Sequence, residues 1–247
     1  MEEYGWLAGA IGLLIGGILK GATGAGAPIV AVPVLALIYD VPLAVAVFTT
    51  SSLLSNIWQG WRYRGSQGSK SFVWWFAGMA SVGTILGSLL LVTLPSEFLM
   101  TSVSALVFLY IVFRLLRPEW QLSERAAGRI VAPAGFLGGM LQGAAGLSAP
   151  ISLTFLTAMK MERARFIATV SVFFAMTSIT QIPTLYGLGV MTPQLFGVSL
   201  LACIPVFGGM PIGAALAKRF SKKTFDTVML AILAVVASRL VVEALFF

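Results

Sequence analysis

Two nine-residue segments, 122 residues apart, place glycine, small residues and proline inside otherwise apolar stretches. Gly21-Ala22-Thr23-Gly24-Ala25-Gly26-Ala27-Pro28-Ile29 aligns with Gly143-Ala144-Ala145-Gly146-Leu147-Ser148-Ala149-Pro150-Ile151 at six of nine positions. A broken backbone is costly in hydrocarbon, because lipid offers no partner for the freed N–H and C=O groups. It persists only where it faces protein or a wet cavity. Two such breaks at matching places in two halves of a chain point to a transporter's binding site.

Pro28 and Pro150 sit where new helices are expected to begin, since the missing proline N–H is unpaired there anyway. The preceding glycines permit a tight reversal and a close approach of backbone to solute. Half-helices of roughly 12 to 16 residues rise about 18–24 Å, enough to reach the middle of a bilayer. Two hairpins entering from opposite faces are expected to meet tip to tip. Gly24, Gly26, Ala27 and Pro28 would then face Gly146, Ser148, Ala149 and Pro150, with two positive helix ends aimed at one anion.

Side chains of suitable chemistry fall at the same depth. Thr49, Ser52, Asn56 and Gln59 recur at steps of three and four, so they share one helix face. Ser171, Thr177, Ser178 and Gln181 supply a similar face in the second half. Lys20 immediately precedes the first break, where a charge is costly and usually functional; its counterpart is the neutral Gln142. Each residue also has a plainer reading. Small residues serve helix packing, hydroxyls bond their own backbone, and Lys20 either contacts solute or snorkels to a carbonyl. Asp40 and Glu162, at the hairpin exits, suit caps or gate contacts. Arg239 and Glu243 make a local ion pair.

Composition sets the class. Apolar residues form 58% of the 247 and charged residues 10%, with mean hydropathy +0.96, so the chain reads as an all-α integral membrane protein. Uncharged stretches near the ~20 residues of a span recur at 41–61, 71–96, 98–113, 166–194 and 193–217, and a shorter one at 227–238. There is no histidine, and Cys203 is the single cysteine. That excludes a disulfide, an imidazole or thiolate metal site and histidine-based catalysis; no enzyme, cofactor or metal is expected. Cys203 reads as a packing residue, and Pro205 and Pro211 as helix kinks. The net charge of +7 is scattered over short loops with no stripe for nucleic acid. Residues 5–19 run straight into the first break and read as mature structure rather than a signal.

Charge placement chooses between two threadings. If each broken segment crosses once, the basic loops are split between the two sides, against the positive-inside tendency. If each is a re-entrant hairpin, loops 62–70, 114–129, 160–165 and 218–223 all lie in the cytoplasm. They hold 14 of the 16 basic residues, all but Lys20 and Arg239. Each half is then one hairpin plus three spans, an odd number of crossings, so the second half is inverted. The repeat covers 1–116 and 130–247, joined by a polar linker at 117–129. Gly16 and Gly17 align with Gly138 and Gly139, Asp40 with Glu162, and Gln59 with Gln181; later Gly83 and Gly87 align with Gly209 and Gly213 at an offset of 126. The six tryptophans fit an interfacial belt.

The glycine-rich break ending in Pro28, followed by Pro33 and the polar run Thr49-Thr50-Ser51-Ser52, resembles the TauE/SafE family of sulfite and organosulfonate exporters. The weaker copy from Gly143 to Pro150 matches as well, and the resemblance covers the whole chain. It departs at Ala145, Leu147 and Ser148, where the second copy is less rich in glycine. The resemblance implies export of a small sulfur-containing anion such as sulfite or sulfoacetate across a cell inner membrane. The mechanism expected is a secondary transporter working by alternating access. A passive anion channel or a carrier of another small solute are the alternatives. A coupling ion, H+ or Na+, and the oligomeric state stay open.

Overall fold

The computed structural model describes residues 2–116 and 120–219. Its regular elements are all helical: α1 (Glu2–Thr23), α2 (Ala27–Ile38), α3 (Val41–Arg62), α4 (Lys70–Thr93), α5 (Ser96–Leu116), α6 (Glu124–Ala145), α7 (Ser152–Ala158), α8 (Arg163–Gly187), α9 (Pro193–Leu201) and α10 (Cys203–Leu216). Among the described residues, five stretches are long and apolar enough to cross a membrane: Gly5–Thr23, Val41–Arg62, Lys70–Thr93, Arg163–Gly187 and Pro193–Leu216. The stretch 227–238, with Lys222, Lys223, Arg239 and Glu243, lies outside the described residues.

Local chemistry sets the helix starts. Asp40 Oδ1 accepts from Leu43 N at 2.7 Å and caps α3, as the sequence suggested. Ser69, Ser123 and Thr192 cap α4, α6 and α9 in the same way, each satisfying an orphan N–H of a first turn. Glu162 holds the equivalent position on α8 but makes no side-chain cap. Because α6 starts at Glu124, residues 124–129 of the expected linker are helical.

Both breaks make helical hairpins. Gly5, Gly9, Gly12 and Gly16 of α1 face Ile38, Leu35, Val34 and Ala31 of α2 in antiparallel order. At the open end the ring of Trp6 lies 5.6 Å from that of Tyr39. The second hairpin closes through Leu122 N, which donates to the Ala158 carbonyl at 2.8 Å. The arms are unequal, unlike the expected half-helices. The descending α1 and α6 have 22 residues each, while the returning α2 has 12 and α7 only seven.

Glycine then fixes how the halves interlock. A Cβ on Gly17 would strike the Val206 carbonyl, and one on Gly21 that of Met210, so α1 and α10 run parallel at backbone contact. The same contacts recur at the sequence offsets, with Gly139 on Ala80 and Gly143 on Thr84. From the facing helices, Gly209 and Gly213 meet Leu14 and Ile18, while Gly83 and Gly87 meet Phe136 and Met140. Helix α1 of the first half therefore packs on α10 of the second, and α6 of the second packs on α4 of the first. Without water to drive helices together inside lipid, such close backbone packing is a main source of association.

The innermost pair is α3 and α8. Lys20 touches Asn56 on α3 and Phe174 on α8, and Gly60 faces Ser171. Rising along one helix while falling along the other, these contacts make the pair antiparallel. Continuing that register sets Ser52 level with Ser178 and Thr49 level with Gln181.

The basic loops gather at one end. Arg165 lies against Gly68 and its Nη1 is 2.7 Å from Glu124 Oε1. Arg163 reaches the Ala22 carbonyl, and α10, parallel to α1, delivers Lys218 and Arg219 to the same end. All six tryptophans are exposed, and Trp58, Trp61, Trp74, Trp75 and Trp120 lie toward this end. Val82, Ile85, Leu86, Leu89 and Leu90 of α4 are exposed too, an apolar exterior suited to lipid.

Candidate functional site

Each break turns on a glycine that only glycine tolerates well. Gly24 has φ +89° and Gly146 φ +66°, and each N–H donates back four residues, to Lys20 O at 2.7 Å and Gln142 O at 2.8 Å. Their seats are also equivalent. A Cβ on Gly24 would meet Ile167 of α8, and one on Gly146 would meet Val45 of α3. From there the two breaks diverge. Thr23 Oγ1 accepts from Gly26 N at 3.0 Å and Ala25 N at 3.3 Å, so the first chain reverses at once and α2 starts at Ala27 with Pro28 in its first turn. The second break has Ala145 there. Its turn is taken by the Ser148 carbonyl, which accepts from Ile151 N and Ser152 N. Helix α7 thus starts at Ser152, past Pro150, which lies in the turn.

The glycine turns do not meet tip to tip. Ile167 and Val45 each lie one turn into their helices, and α3 and α8 are antiparallel. Gly24 and Gly146 consequently sit near opposite ends of the pair, on the order of 25 Å apart along it. The hairpins pass each other, and the second turn lies beside Val32 of α2.

Lys20 is the largest polar side chain in the interior, 1% exposed. Its Nζ donates to Asn56 Oδ1 at 2.7 Å and lies 6.0 Å from the centre of the Phe174 ring. Asn56 is held in turn by Nδ2, which donates to Ser52 O at 2.7 Å and Ser52 Oγ at 3.3 Å. Among the described residues no carboxylate pairs with Lys20. When protonated, an amine with only neutral partners is an uncompensated charge.

The other expected residues line the same interior. Of the sixteen, only Pro150 is as much as half-buried; the rest are buried, so none is lipid-facing. Their hydrogen bonding separates them. Thr49 Oγ1 bonds its own helix at Val45 O, the plain reading of a membrane hydroxyl. Gln181 Nε2 donates to the carbonyls of Gly143 at 3.3 Å and Gln142 at 3.4 Å, holding the second break. Gln59 Oε1, Gln142 Oε1 and Ser171 Oγ are buried with no hydrogen-bond partner among the described residues. Such groups cost about 1–3 kcal/mol each and mark places that a ligand or water completes.

Two contributors escaped the sequence reading. Phe174 has no polar signal, although its step of three from Ser171 puts it on the same face. Arg163 looked like one more basic loop residue, yet its Nη2 donates to Ala22 O at 2.8 Å. Cys203 accepts a weak hydrogen bond from Ser51 Oγ at 3.5 Å, as a packing residue would.

No curated protein and no solved structure matches the chain. Residues 8–240 match the family described as "Sulfite exporter TauE/SafE". With nearly its whole length matched and five apolar helices long enough to cross a membrane, the chain belongs to the TauE/SafE family of membrane transporters for sulfur-containing anions.

Proposed function

We propose that this protein is a secondary transporter that exports a small sulfur-containing anion, sulfite, sulfoacetate or a related organosulfonate, across the cell inner membrane. The observation that carries the reading is Lys20, a buried ammonium whose only hydrogen-bond partner among the described residues is a neutral amide. An oxyanion there completes the charge, Asn56 holds the lysine in place for it, and the amide and hydroxyl groups of Gln59, Ser171 and Ser178 add neutral ligands around it. The first turn of α2 lies against Gly16 and Leu19 of α1, and it adds a positive helix end near the lysine. The second break contributes less to binding, because its returning helix is short and the N–H groups of Ile151 and Ser152, at its start, are already used by the Ser148 carbonyl.

Alternating access follows from an inverted repeat of two re-entrant hairpins. What supports it is the one-for-one match of glycine contacts at offsets of 122 and 126, together with the gathering of basic loops at one end. By the positive-inside tendency that end is cytoplasmic. Rocking of one half against the other about α3 and α8 exposes Lys20 to each side in turn.

The test is counterflow in proteoliposomes with sulfite, sulfoacetate, taurine, thiosulfate and a carboxylate analogue. Saturable exchange of a sulfur anion is expected. Exchange of the carboxylate alone, or flux that never saturates, overturns the reading.

A further inference from the structure

Resting on that reading, we infer that the first glycine turn, residues 22–24, is the gate at the basic end, latched by Arg163, and that Ser171 and Gln59 line the passage behind it. Arg163, Ile167, Ser171 and Phe174 fall at steps of four, four and three, so one face of α8 runs from the basic loops to the lysine. The turn covers that face near its start. Gly24 rests on Ile167, and the Ala22 carbonyl accepts from Arg163 Nη2 at 2.8 Å. Immediately beyond the covered stretch come two polar groups with unmet hydrogen-bonding capacity, Ser171 at 0% exposure and Gln59 at 3%. One level further is Lys20. A path of this form needs a stopper that an anion can release.

Arg163 has the chemistry for it. Its partner among the described residues is a backbone carbonyl and not an acid, so four of the five guanidinium N–H donors are left for an incoming oxyanion, which binds arginine more strongly than an amide oxygen does. Transfer of the guanidinium from Ala22 to the anion frees the turn and delivers the solute toward Lys20. The latch belongs to one side alone, because the position equivalent to Arg163 in the first half is Val41, which cannot donate. The second break is held instead by the neutral Gln181 amide, which donates to the Gly143 and Gln142 carbonyls.

The lone cysteine makes the test clean. In a Cys203→Ala background, Ser171→Cys is labelled in membranes with a small permeant thiol reagent, and Ser148→Cys on the other turn serves as the control. Labelling of Ser171→Cys is expected to be slow and to speed up about tenfold in Arg163→Met, the shift expected when a charge-assisted hydrogen bond holding a closed state is lost. Arg163→Lys, which retains one donor, restores slow labelling, and Ser148→Cys is unmoved throughout. Unchanged Ser171→Cys labelling in Arg163→Met overturns the gate, and so does an equal rise at Ser148→Cys, which means general loosening. Counterflow separates this from the function: no exchange of a sulfur anion by the wild-type protein, together with the labelling pattern in the cysteine variants, keeps the gate and loses the substrate.

Discussion

The two hairpins share a scaffold and differ in chemistry. Gly17 and Gly21 on α10 are reproduced by Gly139 and Gly143 on α4, and Gly24 on Ile167 by Gly146 on Val45. At several polar positions the match fails, although Gln59 and Gln181 keep it: Lys20 answers to Gln142, Asn56 to Ser178, Thr23 to Ala145 and Arg163 to Val41. The glycine contacts match where backbone meets backbone, and the one charge of the interior and the side chains around it do not. On the proposed reading, the matched glycine contacts serve both conformations while one hairpin alone carries the ionic contact with solute.

The frame is where the largest effects should fall. Gly21→Leu and Gly143→Leu each drive a side chain into a facing backbone, at Met210 and at Thr84. Overpacking against backbone that cannot rotate away should destabilise by about 3 kcal/mol or more. Gly78→Leu and Gly128→Leu, which face open space, should be close to neutral. Thermal unfolding in detergent measures all four. Tolerance of leucine at only one of the two buried sites would break the equivalence of the interfaces.

The chemistry should split where the frame does not. Lys20→Met is expected to weaken sulfite binding roughly 10- to 100-fold, the worth of a hydrogen bond to a charged group, whereas Gln142→Met changes it a few-fold at most. Stability should move the other way. Removing an unpaired buried charge should raise the unfolding temperature of Lys20→Met, so loss of binding cannot be blamed on misfolding. Asn56→Ser, which installs the residue of the second half, should weaken binding by about tenfold by releasing Nζ. In a Lys20→Met background the same change should add little, a coupling that a double-mutant cycle measures. Additive losses would mean that Asn56 meets the anion without help from the lysine.

Much of the frame was legible because glycine and proline leave marks that repeat. The offsets of 122 and 126, read from the letters alone, are the offsets of the helix contacts. Partner choice was not legible, since a glycine stripe on α1 fits any small-residue helix and nothing in it names α10. Tip position was misjudged for a related reason: the glycine turn marks where a helix stops, not how far it has travelled, and α1 and α6 each run 22 residues before turning. In the site, Lys20 and Asn56 announced themselves by polarity in an apolar run. Arg163 did not, because a cation at the edge of a basic loop looks the same whether it faces solvent or a carbonyl.

The smallest predicted difference lies in how each turn is held. Thr23 Oγ1 accepts two backbone N–H groups and donates to the Leu19 carbonyl at 2.8 Å, a cap made by one side chain. Thr23→Ala should cost about 1 kcal/mol, in the range of other lost caps, and Thr23→Ser should keep most of it. Because the second turn is already built without such a group, the loss should be confined to one hairpin. Hydrogen exchange is the suitable readout: the amides of Ala25 and Gly26 should exchange several-fold faster in Thr23→Ala, while those of Ile151 and Ser152 stay unchanged. Equal acceleration at both turns would mean that the hairpins unlatch together, and then the asymmetry of their side chains does not make one of them the looser gate.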